Sequence, residues 1–139
     1  MGSRRKGREA ALRILYFLDV SGVSGTQAIK SYWGHLATPD EASDQVEFAN
    51  AIVRGYVEHR EEIDDLIRAW SHHWRLERMP IVDRNVIRAA IVELREMPDI
   101  PKRVTLNEAV ELAKRFGSEG SGAFVNGVLD RIATELGKP

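Results

Sequence analysis

The sequence contains no cysteine. Disulfides, thiolate metal sites and cysteine nucleophiles are therefore excluded, and the usage fits a reducing cytoplasm. No apolar run approaches the about 20 residues of a membrane-spanning helix, and the basic start lacks the apolar stretch of a signal peptide. Met1-Gly2-Ser3 opens like a myristoylation motif, but Lys6 stands where that motif wants Ser or Thr. Those three residues read equally well as a cloning remnant. Charge of one sign is also missing. Lys and Arg number 20 against 21 Asp and Glu, a formal net charge of −1. Any nucleic-acid binding must then come from a local basic patch. What remains is ordinary globular usage, 43% hydrophobic and 29% charged over 139 residues, which suits one domain with a core and argues against disorder.

Sustained period-two alternation is absent, and the apolar residues recur at helical spacing. From about Arg4 to Val20, Ala11, Leu12, Leu15 and Tyr16 form one stripe, which Ser21, Gly22, Ser24 and Gly25 interrupt. A short helix is expected over Thr26 to Leu36, with Ile29, Tyr32 and Trp33 inward. Thr38-Pro39-Asp40 reads as a turn and helix start. A long pattern from Ser43 to Trp74 carries Phe48, Ile52, Tyr56, Ile63, Ile67 and Trp70 on one face. Its other face holds Glu58, Arg60, Glu61, Glu62, Asp64, Asp65 and Arg68 and reads as solvated. Gly55 is its weak point, where a bend is expected.

Pro80 suits a first helical turn. The helix after it should bury Val86, Ile87, Ala90, Ile91 and Leu94 and end at Pro98, Asp99 and Pro101. Thr105-Leu106-Asn107-Glu108 reads as a capping box. The helix it opens should bury Ala109, Leu112, Ala113 and Phe116 and stop at a left-handed Gly117. Ser121 is expected to cap a last helix burying Phe124, Val128, Leu129 and Ile132. The class is all-α, about six to seven helices in two three-helix sub-bundles, residues 4–74 and 80–136, forming a single domain over 1–139.

Arg4, Arg5, Lys6, Arg8 and Arg13 crowd the start of the first helix, with Glu9 the one opposing charge. Cations at a helix N-terminus oppose the dipole. Residues placed against local preference point to a partner that supplies negative charge, and guanidinium groups match phosphates. The alternative is a solvated basic tail. About four phosphate contacts would give log affinity a slope near −3 against log salt. The loop from Gly117 to Gly122 follows a helix and lacks Gly-Lys-Ser/Thr, so a nucleotide site is not expected. His72-His73 diverge by about 100° on a helix and do not converge on one ion, so no metal or cofactor is expected. His35 and His59 read as isolated surface residues. Asp83, in a first turn, reads first as a dipole complement. The aromatic residues, Trp33, Tyr56, Trp70, Trp74 and Phe116 among them, fall mainly on apolar stripes and read as core, whereas Tyr16 and Phe124 sit near stripe ends. No nucleophile and base converge, so an enzyme is not expected.

Four stretches resemble the NusB antitermination factors. They are Arg8-Glu9-Ala10-Ala11-Leu12-Arg13-Ile14-Leu15-Tyr16, then Val82-Asp83-Arg84-Asn85-Val86-Ile87-Arg88, then Asn107-Glu108-Ala109-Val110-Glu111-Leu112-Ala113-Lys114-Arg115-Phe116-Gly117, and Phe124-Val125-Asn126-Gly127-Val128-Leu129-Asp130. The resemblance covers nearly the whole chain. It implies an all-helical protein that binds boxA-type single-stranded RNA of ribosomal RNA leader transcripts. It also implies joint action with NusE, a ribosomal small-subunit protein, in an RNA polymerase antitermination complex in the cytoplasm, with no membrane partner. By resemblance, Arg4, Arg5, Lys6 and Arg8 carry RNA contacts, and Tyr16, Asp83 and Phe124 match positions near the partner surface. A homodimer over that surface is also compatible with the family. Two departures stand out: Gly7 replaces a helix former, which would fray the first turn, and Gly120 stands where an acidic residue is common. The alternatives are a helical protein-interaction module without RNA affinity and a regulatory module related to the N-terminal domain of ribosomal-RNA cytosine methyltransferases. For that last enzyme class the sequence leaves no room for the catalytic domain.

Overall fold

The computed structural model describes residues 2–36, 43–71 and 75–139. The expected turn at Thr38-Pro39-Asp40, the His72-His73 pair and Trp74 lie outside them. Seven α-helices are present among the described residues: α1 Gly2–Ser21, α2 Gly25–Ser31, α3 Ser43–Glu58, α4 Arg60–Trp70, α5 Ile81–Glu96, α6 Lys102–Phe116 and α7 Ser121–Glu135. A π-helical turn, Tyr32–Leu36, follows α2, and a 3-10 turn, Leu76–Arg78, precedes α5. The described residues contain no strand, so the all-α expectation holds.

Helix α5 is the axis of the molecule. It packs against α1, α3, α4, α6 and α7, and most of its residues from Asp83 to Leu94 are buried. One continuous apolar cluster runs from Ala10 on α1 to Ala133 on α7. A helix covered on every side cannot keep a polar stripe in water. Its polar residues Asn85, Arg88 and Glu93 are buried too and must find partners inside.

Several local expectations are corrected. The break in the long central pattern falls at His59 (φ −117°, ψ 32°), four residues beyond Gly55. Gly55 instead admits close approach of α5: a Cβ there would lie 2.6 Å from Val92 Cγ1. Gly7 has the same kind of job. A Cβ there would come within 2.9 Å of Phe48 Cδ2 and 3.2 Å of the Gln45 carbonyl, so the glycine lets α1 lie against α3, and α1 runs unbroken from Gly2. Pro80 stands just ahead of α5 rather than in its first turn.

The capping box at Thr105 does not form. Helix α6 begins at Lys102, preceded by Pro101, which both stops the chain after α5 and fixes φ for the next helix. The Thr105 hydroxyl, buried at 1% exposure, donates to Glu93 Oε1 at 3.0 Å. Gly117 is extended (φ −96°, ψ −159°), and Gly120 takes the left-handed conformation at φ 91°. A side chain at position 120 would be strained, which accounts for the missing acidic residue. Ser121 is the first residue of α7 rather than its cap. Its Oγ accepts from the Ser118 amide at 3.0 Å.

Candidate functional site

The basic start of α1 divides into two groups. Arg4, Arg5 and Lys6 are exposed, while Arg8 is turned inward. Arg8 is 5% exposed and Glu93 2%. Their contact is bidentate, Nε to Oε2 at 2.7 Å and Nη2 to Oε1 at 2.8 Å. With Thr105 donating to the same carboxylate, Arg8 fastens α1 to α5 and α6. The Phe48 ring closes over its guanidinium at 5.3 Å. This side chain has a complete set of internal partners.

The outer cations have looser ones. Arg4 Nη2 meets Asp99 Oδ2 at 3.1 Å, both side chains more than half exposed. Arg5 holds Glu108 through Nε at 3.0 Å and Nη2 at 2.7 Å. That hydrogen bond, with the guanidinium charge, keeps the Glu108 carboxyl below the usual range against the opposing effect of burial. Lys6 has no ion pair among the described residues. Part of the negative charge anticipated by the basic run is thus intramolecular; the exposed Arg4–Asp99 pair is weak and screened, so a polyanion can compete for it, whereas Arg5 holds a half-buried carboxylate by its exposed end.

Arg13, the last cation of the basic run, and Arg115, which no spacing links to it, extend this face. Arg13 lies over the Phe116 ring at 5.4 Å and Arg115 over the same ring at 4.9 Å. Arg115 also pairs with Glu9. Phe116, read as core, is half-buried and carries a guanidinium stack at the edge of the patch.

A second feature sits at the start of α5. Asp83 is 4% exposed, and its Oδ1 has no hydrogen-bond partner. Burial pushes its carboxyl above the ordinary value, opposed by a hydrogen bond with Ser121. The carboxylate borders a cavity of about 220 Å³ whose walls include Pro80, Glu119, Gly120 and Phe124. The structure therefore brings Asp83 and Phe124 together. Tyr16 does not line this cavity; it is 41% exposed on α1. Asp19, one turn further along that face, is clamped by Arg84 at 2.7 and 2.8 Å and by Asn85 at 2.9 Å. Tyr16 is thereby held on the side of α1 that meets the beginning of α5.

The clamp continues inward. Arg88 reaches Asp19 at 3.0 Å and Asp64 at 3.0 and 3.2 Å, and the Tyr56 hydroxyl donates to Asp64 at 2.9 Å. Burial would raise the Asp19 carboxyl, but hydrogen bonds from Arg84 and Asn85 and the Arg88 charge hold it below its ordinary value. Burial pushes Tyr56 up to about 12. Asp64, read as part of a solvated face, is 7% exposed and belongs to this network. The network joins α1, α3, α4 and α5, and even exposed Arg60 at its rim donates to the buried Tyr56 hydroxyl at 3.2 Å, so its role is positional.

No cluster of potential ligands for a metal ion is present among the described residues. No helix among them is long and apolar enough to cross a membrane.

Comparison with known proteins places this arrangement. The NusB family profile matches residues 5–134. The Transcription antitermination protein NusB of Myxococcus xanthus (strain DK1622) is 51% identical over 140 residues, covering 100% of both chains. The structure of T. maritima NusB superimposes with a TM-score of 0.86 at 40% identity, over 95% of this chain and 91% of that one. A crystal structure of antitermination factors NusB and NusE in complex with dsRNA gives 0.81 at 31% identity, over 97% and 99% of the two chains. With its helices, its clamped α5 and its full-length likeness to these proteins, the chain belongs to the NusB family of transcription antitermination proteins.

Proposed function

We propose that this protein is a cytoplasmic antitermination factor that binds boxA-type RNA of ribosomal RNA leader transcripts together with NusE, within an RNA polymerase complex. The observation that carries the reading is the exposed patch of Arg4, Arg5 and Lys6 on a helix locked in place by buried Arg8. Arg4 and Arg5 exchange their surface carboxylates for phosphates, Lys6 adds a third charge, and Arg8 holds the helix that presents them. A family relative solved with both NusE and RNA supports the pairing of partners.

The partner face comprises Tyr16, Asp83 and Phe124. A buried carboxylate oxygen without a donor is costly when alone. A donor from the partner, seated against the Pro80 and Phe124 walls, would satisfy it. Two cationic surfaces on one RNA then bind more tightly than either alone. The test is fluorescence anisotropy of a boxA-type RNA at two salt concentrations, with and without NusE. Affinity should fall with salt and rise when NusE is added. A flat salt response, or no gain from NusE, overturns the reading.

A further inference from the structure

A second polar feature lies beside the cationic patch and is explained neither by it nor by the Asp83 cavity. Residues of α6 and α7 line an open groove of about 800 Å³ that Arg5 of α1 also borders. Asn107 on α6 and Asn126 on α7 are both among its walls. Both are exposed, and neither amide has a hydrogen-bond partner among the described residues. Asparagine is a poor helix former. Two of them inside facing helices, doing nothing for the fold, are residues set against local preference.

The floor is made of small residues, Gly122 and Ala123. A Cβ at Gly122 would lie 3.1 Å from Lys114 Cγ, so the glycine lets the lysine stem lie close against α7. The lining charges cancel: Arg5 is paired with Glu108, and Lys114 is offset by Glu111 one turn before it on the same helix. A neutral groove rich in amides suits a neutral polar heterocycle better than a phosphate. Phosphates have their own place just outside, at Arg4 and Lys6.

We infer that the Asn107–Asn126 groove receives one unstacked base of single-stranded RNA, whose flanking phosphates lie on the Arg4–Lys6 patch. Amide side chains pair with base edges through two hydrogen bonds, and single-stranded RNA is read by such contacts to splayed bases. Glu111 accepts hydrogen bonds and cannot donate. The groove therefore favours a base that offers an exocyclic amino group, adenine, cytosine or guanine, over uracil, whose one base donor is its ring N3–H. This inference rests on the RNA-binding reading above and assigns to it the place where sequence is read.

The experiment scans a boxA-type RNA with single abasic nucleotides against the full chain, in the presence of NusE. For the wild type, removal of one particular base should cost about tenfold in affinity. Asn107→Ala/Asn126→Ala should lose about the same on intact RNA, lose nothing further at that one abasic position, and keep the wild-type salt slope. Alanine favours the helix at both sites, so a folding defect is not expected, and circular dichroism checks it. Gly122→Leu, which fills the floor, should reproduce the effect while leaving the amides in place. Abasic losses unchanged in the double variant, or a loss spread evenly over all positions, overturns the groove while leaving the RNA reading intact. Weakened NusE binding with RNA binding to the chain alone unchanged also overturns it, in favour of a protein contact. No binding of RNA by the wild type, alone or with NusE, overturns both.

Discussion

Replacing Arg8 separates anchoring from RNA contact. The guanidinium is 5% exposed and makes both short bonds to a carboxylate that is 2% exposed. Arg8→Met leaves Glu93 charged and buried, with Thr105 as its remaining hydrogen-bond donor. Removing one partner of a buried pair costs about 3–5 kcal/mol. At roughly 3 °C per kcal/mol for a domain of this size, Tm should drop by about 10–15 °C. The replacement Arg8→Met/Glu93→Met/Thr105→Val removes the charges together with their donor and should recover most of the loss, because apolar substitutes for a buried pair are often neutral. The assay is thermal and urea unfolding, followed by RNA titration of the triple variant. Three outer contacts from Arg4, Arg5 and Lys6 predict a slope near −2 for log affinity against log salt, and a fourth from Arg8 would make it near −3. The triple variant should keep the wild-type slope. An Arg8→Met protein with unchanged Tm and a slope reduced by about 0.7 would refute the reasoning and place Arg8 on phosphate.

Three other outcomes follow from the same geometry. Glu108→Gln weakens the hold on Arg5 and should raise RNA affinity by about two- to fivefold at low salt, read by anisotropy, with the gain fading as salt increases. Asp83 has a carboxyl value raised in the folded state, so the folded protein holds that proton more tightly than the unfolded chain. Stability is then fullest below the ordinary carboxyl range and is lost as pH rises through the raised value. Asp83→Asn should remove that portion of the pH dependence of Tm and weaken NusE binding; an unaltered Tm profile would contradict the burial argument. Gly7→Ala improves helix propensity yet should destabilise by about 1–3 kcal/mol through overpacking, because the added methyl meets Phe48 and the Gln45 carbonyl; denaturant midpoints check it.

The helices were legible because each carries its own periodicity. The stripes that announced α1, α5, α6 and α7 are the buried faces found in the structure, apart from exposed Tyr16 and half-buried Phe116 and Phe124; the break at Ser21–Gly25 takes in the last residue of α1 and the first of α2, and that at Pro98–Pro101 falls between α5 and α6. The polar interior was not legible, and the reason is distance along the chain. Arg8 meets Glu93 across 85 residues and Asp64 meets Arg88 across 24. A charged residue next to an apolar stripe looks the same in sequence whether it faces water or a buried counter-ion. Thr105 shows the same failure at shorter range: its spacing to Glu108 satisfies the capping pattern, but Pro101 starts the helix earlier and Glu93 takes the hydroxyl. Gly117 and Gly120 both suit a helix end, and which of them turns left-handed depends on Ser121 packing under Gly117. At the candidate site the basic run was legible as a local concentration of charge, while the division between Arg8 and its neighbours needed the fold.

That division explains how one helix can be both firmly anchored and lined with exchangeable contacts. A side chain bound to a surface carboxylate gives it up readily to a phosphate, because water screens both contacts alike. A side chain bound to a buried carboxylate cannot, since the acid left behind would have to ionise in the core without a partner. Arg4 and Arg8 lie one turn apart and fall on opposite sides of this boundary. The inner contact fixes the position of the backbone from which the outer side chains reach, so on the proposed function an incoming RNA would order side chains and not the helix. The entropy lost on binding is correspondingly small. The same logic, with the roles reversed, holds at Asp83: there one oxygen of the buried acid already lacks a donor, and the fold is left less stable at a point that a partner would complete.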